Sequence, residues 1–175
     1  MAILFITQRL AVRDWVPDDA PGAYAVYGDT RVSNWLVPAM SRIADESAMK
    51  AVLDAWAESQ PRLAAPAGRW ALVETESDRV VGGLSLRLLP PYDQDIEIGW
   101  QLAPEVWGRG YATEAGRALA EWSFRQGAEE LFAVVGPGNH RGAATAKRIG
   151  MEWVGETDKY YERTLQVYRL RPADL

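Results

Sequence analysis

Between Val106 and Thr113 the chain reads Val-Trp-Gly-Arg-Gly-Tyr-Ala-Thr, placing Gly108, Gly110 and Ala112 at alternate positions ahead of a helical pattern. Residues of these types at this spacing can hold an anion. Glycines let backbone N–H groups converge at the helix N-terminus, where the positive end of the helix dipole attracts phosphate. Without side chains they let a pyrophosphate approach the main chain itself, and Arg109 offers a charge-assisted contact. The bland alternative is a tight strand-to-helix connection with no ligand. A P-loop is excluded, since no G-x-x-x-x-G-K-[ST] run exists. A dinucleotide fingerprint fits poorly, because a third glycine is missing and Glu129 and Glu130 precede the next strand instead of closing it.

Other chemistry is excluded by what the chain lacks. There is no cysteine and a single histidine, His140. Disulfides, a thiolate nucleophile and Cys/His zinc sites are therefore impossible, and no metal is expected. Ser–His catalysis would need His140 alone, with no G-x-S-x-G elbow to serve it. A net charge of −5 argues against nucleic acid as a partner. An acidic rim would instead favour a cationic substrate such as an amine. No apolar run approaches the roughly 20 residues of a membrane helix, and Met1–Leu10 lacks the pattern of a signal peptide. A cytoplasmic protein without a membrane partner is expected. A length of 175 residues predicts one domain, 1–175.

The elements that must position the glycine turn follow from periodicity. Ile3–Asp14 reads as one strand, and Asp18 or Asp19 caps a helix that carries Pro21 and ends near Gly28. A second helix spans Asp45–Ser59, its Met49, Val52, Leu53 and Trp56 forming one apolar stripe. Strands at 69–74 and 80–89 flank a polar turn, and a third at 95–102 alternates sharply. Its Ile96, Ile98, Trp100 and Leu102 share one face, and Asp95, Glu97, Gly99 and Gln101 the other. A helix at 111–126, a strand at 131–135, a helix from Asn139 to Gly150 and two strands near 153–156 and 165–170 complete the chain. The order predicts a mixed α/β sheet flanked by helices. Glu114, Arg117, Glu121 and Arg125 read as an exposed charge ladder. Trp56, Trp100 and Trp122 read as core, and His140 as a surface residue beside the cap Asn139.

Four segments, in order along nearly the whole chain, resemble the GNAT superfamily of N-acetyltransferases, and specifically its RimJ/RimL-like branch. Trp107-Gly108-Arg109-Gly110-Tyr111-Ala112-Thr113-Glu114-Ala115 is similar to the acetyl-CoA motif of that branch. Asn139-x-x-Gly142-x-x-Thr145, leading to Arg148-Ile149-Gly150-Met151, resembles the family's later helix, and Ile6–Arg13 its opening strand. Ile96-Glu97-Ile98-Gly99-Trp100 also fits. One departure is clear: Gly142 stands where many members have a serine that serves as a proton donor in some of them.

The resemblance implies an α+β fold, a mostly antiparallel sheet of about seven strands and about four helices, with a splayed cofactor cleft. It implies acetyl-CoA as cosubstrate, held by Gly108, Arg109, Gly110, Tyr111, Ala112, Thr113 and Asn139 and by the backbone at Trp100, Gln101 and Leu102. A backbone N–H at that strand would also stabilise the oxyanion. An amine, on a protein N-terminus or a small molecule, would attack the thioester directly in a ternary complex, and the absence of cysteine agrees. Glu97 is the candidate base, directly or through water, with Asp95 a weaker alternative. Tyr160 or Tyr161 is the candidate proton donor to the leaving thiolate. Trp35 lies where the family borders its acceptor. Members often form dimers, though no residue here fixes one. The competing reading is a catalytically silent acyl-CoA-binding module of the same fold.

Overall fold

A computed structural model describes residues 1–175. Its single sheet has eight strands: β1 (Ile3–Ile6), β2 (Leu10–Asp14), β3 (Gly68–Glu74), β4 (Arg79–Leu88), β5 (Ile96–Leu102), β6 (Leu131–Val135), β7 (Glu152–Thr157) and β8 (Leu165–Leu170). The helices are α1 (Ala20–Tyr27), the short α2 (Thr30–Ser33), α3 (Glu46–Ser59), α4 (Tyr111–Arg125) and α5 (His140–Ile149). In space the strands run β1-β2-β3-β4-β5-β6-β8-β7. Every neighbouring pair is antiparallel except β5 and β6.

The extra strand comes from the N-terminus. The expected single strand over Ile3–Asp14 is instead a hairpin, because the chain turns at Thr7–Arg9. The Thr7 N–H and hydroxyl both bond the Leu10 carbonyl, and Glu114 of α4 accepts from Thr7 and Arg9. The turn is thus made by a long-range partner that no local pattern announces.

The helices take opposite faces of the sheet. Trp70 and Leu84 are paired across β3 and β4, and the Trp70 ring meets Trp122 of α4 edge-on, 5.6 Å between centroids. Gly83, one residue along and so on the other face, lies against Tyr27 of α1 and Trp15. Tyr27, Trp15 and Trp56 of α3 form one aromatic cluster, with centroids 5.6–6.3 Å apart. Met49 and Leu53 carry the α3 stripe into the core, whereas Trp56, Trp100 and Trp122 are half-buried at its margin. Asp45 caps α3 by accepting from the Ala48 N–H at 2.8 Å. No helix is long and apolar enough to cross a membrane.

Candidate active site

β4 pairs with β5 along all of Ile96–Leu102. On its other side β5 meets the parallel β6 only at Glu97–Phe132. Beyond that point the strands part, while β6 stays paired with β8 along all of Leu131–Val135. Gly99–Leu102 therefore present a strand edge with no β-partner, and an edge of this kind accepts an extended ligand by backbone pairing. A cavity of about 1150 Å³ opens there. Trp100, Gln101 and Leu102 line it.

The glycine turn forms the next wall. Gly108 and Gly110 both have φ of +79°, the left-handed region that costs an L-residue roughly 1–2 kcal/mol. A Cβ on Gly108 would meet nothing within 4 Å, so the demand for glycine is conformational and the space before it is open. Gly108, Gly110, Tyr111, Ala112 and Thr113 line the cavity, and α4 starts from the turn with its N-terminal N–H groups unpaired within the helix. Arg109 does not line it. Its guanidinium sits 3.5 Å from Glu74, which also accepts from the Tyr111 hydroxyl. These bonds, chiefly those from Ser77 and Tyr111, hold the Glu74 carboxyl below its usual range.

Glu114 holds the turn from behind. Both its oxygens bind the β1–β2 turn: Thr7 Oγ1 at 2.7 Å, Arg9 N at 2.9 Å and Arg9 Nε at 2.7 Å. Arg9 in turn donates to the Arg109 carbonyl at 2.8 Å and lies over the Tyr111 ring. Burial alone would raise the Glu114 carboxyl, but these bonds outweigh it and hold it below its usual value. The expected ladder on α4 is not formed; Arg117 donates instead to the Ile149 carbonyl at the end of α5.

On the opposite wall Asn139 caps α5, its Oδ1 accepting from the Gly142 N–H at 3.0 Å, while the residue also lines the cavity. A Cβ at Gly142 would come within 2.8 Å of the Asn139 side-chain amide, so a larger residue there would require that amide to shift. His140 is exposed at the rim. Arg141 stacks on the Trp107 ring at 3.7 Å, with Arg31 near the same ring at 5.9 Å.

Glu97 stands where β5 and β6 part. It is 7% exposed, and its Oε2 accepts from Arg87 Nε at 2.9 Å and from the Tyr161 hydroxyl at 3.0 Å. Oε1 has no protein hydrogen bond and belongs to a residue that lines the cavity. The Tyr161 phenol is raised well above its usual value, by burial first and by the Glu97 charge second. It stays a neutral donor at physiological pH. Tyr160, one residue earlier, is packed with Leu89, Leu165 and Val167, and its hydroxyl bonds Asp95. Neither Tyr160 nor Asp95 lines the cavity, whereas Tyr161 and Trp35 do. Trp35 lies in the turn after α2, about half exposed at 48% and close to Gly136 at the end of β6.

The sequence pattern of the acetyltransferase (GNAT) domain matches residues 9–152. The chain belongs to the GNAT acetyltransferase family. Its likeness to curated proteins is modest. It is 34% identical over 74 residues to the protein YkkB of Bacillus subtilis, covering 42% of either chain. It is 25% identical to the N-acetyltransferase p20 of Bacillus licheniformis, over 67% of this chain and 64% of that one. The alignments thus span less than two thirds of either relative. Among solved structures, an acetyltransferase from Agrobacterium tumefaciens superposes with a TM-score of 0.76 at 24% identity, over 98% of this chain and 95% of that one. The ribosomal-protein-S5-alanine acetyltransferase of Vibrio fischeri gives 0.75 at 18%, over 99% and 98%. Both show that the eight-stranded, parted sheet is the GNAT fold.

Sequence reasoning missed Arg87, although it binds the residue chosen as base. Only the β4–β5 register, Arg87 opposite Glu97, brings the pair together. The irregular Leu89–Asp95 connection hides that register from the sequence.

Proposed function

We propose that residues 1–175 form one N-acetyltransferase domain that moves an acetyl group from acetyl-CoA to a primary amine by direct attack in a ternary complex. The observation that carries this reading is the parting of β5 from β6 at Glu97, with the glycine turn facing the same cavity. Acetyl-CoA would supply the activated thioester. Gly108, Gly110 and the N-terminus of α4 would take its pyrophosphate, and the free edge of β5 at Trp100–Leu102 its extended arm. Backbone N–H groups of that edge would donate to the thioester oxygen as charge develops, a contact typically worth about 3 kcal/mol in the barrier.

Glu97 Oε1 would accept the proton of the incoming amine, directly or through one water, while Arg87 and Tyr161 fix the carboxylate through Oε2. The Tyr161 hydroxyl, whose single hydrogen goes to Glu97 Oε2 before reaction, would turn it to the departing sulfur once Oε1 has taken the amine's proton. Its raised pKa makes it a hydrogen-bond donor at every physiological pH. Trp35 would border the acceptor. Membership of the RimJ/RimL-like branch belongs to the same proposal, supported by the motif resemblance.

Calorimetric titration with acetyl-CoA, followed by thiol release against mixed amines and N-terminal peptides, tests the reading. Saturable binding with amine-dependent release is expected. Absence of binding would remove the role given to Gly108 and Gly110, and binding without release by any amine would remove the enzyme.

A further inference from the structure

The whole chain is acidic, yet its one large cavity is not. Five arginines line it, and Glu97 is the only carboxylate that does. A net charge of −5 is therefore reversed in sign where the ligands must sit.

The arginines divide by position. Arg31 and Arg141 lie at the Trp107 ring beside the glycine turn, and Arg148 follows Arg141 by seven residues along the same face of α5. Arg31 and Arg141 thus stand beside the glycine turn, where a strongly anionic cosubstrate would use them, and Arg148 lies about two turns further along α5. Arg87 and Tyr161 both bond Glu97, and Arg163, which also lines the cavity, follows Tyr161 by two residues. Arg87 is already spent on Glu97. Arg163, on the connection before β8, has no carboxylate partner; its one protein bond is to the Val37 carbonyl. A guanidinium carries five N–H donors, so most of its capacity is open.

The acceptor end thus holds one spare positive charge and no spare negative one. We propose that the acceptor is a small primary amine that also bears a carboxylate, an amino-acid-like zwitterion, with its amine at Glu97 Oε1 and its carboxylate at Arg163. The inference rests on the acetyltransferase reading and names its substrate class. A polyamine or other polycation meets an unpaired guanidinium here and is disfavoured. The Arg163–Val37 bond also ties two walls of the cavity together, which suits an acceptor that fits beneath it better than an extended peptide. Arginine is the residue that reads a planar carboxylate through paired N–H donors.

The test is thiol release from acetyl-CoA with free L-amino acids, the matching amino-acid amides, diamines and short peptides. Free acids are expected to exceed their amides in kcat/KM by about tenfold or more, the scale of a lost charged hydrogen bond. In Arg163→Gln that ratio is expected to fall toward one through KM for the acid, with KM for acetyl-CoA unchanged. Arg163→Lys is expected to keep part of the preference. Amides, diamines or peptides used as well as free acids by the unaltered enzyme overturn the proposal without any variant. A ratio that survives Arg163→Gln overturns the role of Arg163. Calorimetric binding of acetyl-CoA with release only by amines lacking a carboxylate overturns the substrate class and leaves the transferase standing. No binding of acetyl-CoA overturns both.

Discussion

Glu97 illustrates how a side chain can be buried, charged and still available. A carboxylate at 7% exposure needs a compensating partner, and Arg87 supplies it through one oxygen only. The other oxygen is left for chemistry. Glu97→Gln keeps the shape and removes the carboxylate proposed as base, so kcat is expected to fall about 10²- to 10⁴-fold. The calorimetric affinity for acetyl-CoA should stay unchanged, and a kcat within twofold of the original would remove Glu97 from the mechanism. Tyr161 makes a different prediction. Its phenol is shifted upward, so it loses no proton in the working range. Tyr161→Phe should lower kcat by about tenfold or more while leaving the alkaline side of the pH–rate profile in place. A profile whose alkaline limb disappears in the variant would mean that Tyr161 titrates after all.

At the scale of elements, the glycine turn is held in place by a strand hairpin more than 100 residues away in sequence. Glu114 of α4 grips Thr7 and Arg9, and Arg9 reaches the Arg109 carbonyl. Because the Glu114 carboxyl is held below its unfolded value, the clamp contributes stability above roughly pH 4.3 and loses it as pH falls through the folded value. Glu114→Gln is expected to cost about 1–2 kcal/mol at pH 7, or roughly 3–6 °C in Tm for a chain of this size. Thermal melts of both proteins from pH 7 down to pH 3.5 should converge; a gap that widens on acidification would contradict the clamp. In the turn itself, Gly110→Ala forces a left-handed φ of +79° on a residue with a side chain. About 1–2 kcal/mol of strain is expected. With the turn displaced, KM for acetyl-CoA should rise about tenfold while kcat at saturating acetyl-CoA stays within about threefold.

Across the whole molecule, the cavity lies between two halves of a sheet that are joined in the middle by one residue pair, Glu97–Phe132. A ligand that filled the gap as proposed would replace missing strand pairing and couple binding to folding. Acetyl-CoA at 100 times its Kd should stabilise the protein by about 2.7 kcal/mol. For this length that is roughly 5–10 °C in Tm, readable by scanning calorimetry. A melt that does not move under saturating acetyl-CoA would mean that the parted strands are not its site.

Local pattern was enough for much of this protein. The glycine turn, the alternation that puts Glu97 and Gln101 on one face of β5, and the apolar stripe of α3 are all set by residues within a few positions of one another. Periodicity and backbone freedom act at that range. What the tertiary structure decided depends on residues far apart in the chain. The hairpin at Thr7–Arg9 needs Glu114, the pairing of Glu97 needs the β4–β5 register, and the separation of Tyr161 from Tyr160 depends on which hydroxyl finds Glu97 and which finds Asp95. The sign of the cavity belongs to the same class. Net charge sums the chain without regard to place, whereas folding gathers arginines from α2, β4, α5 and the β7–β8 connection onto one surface.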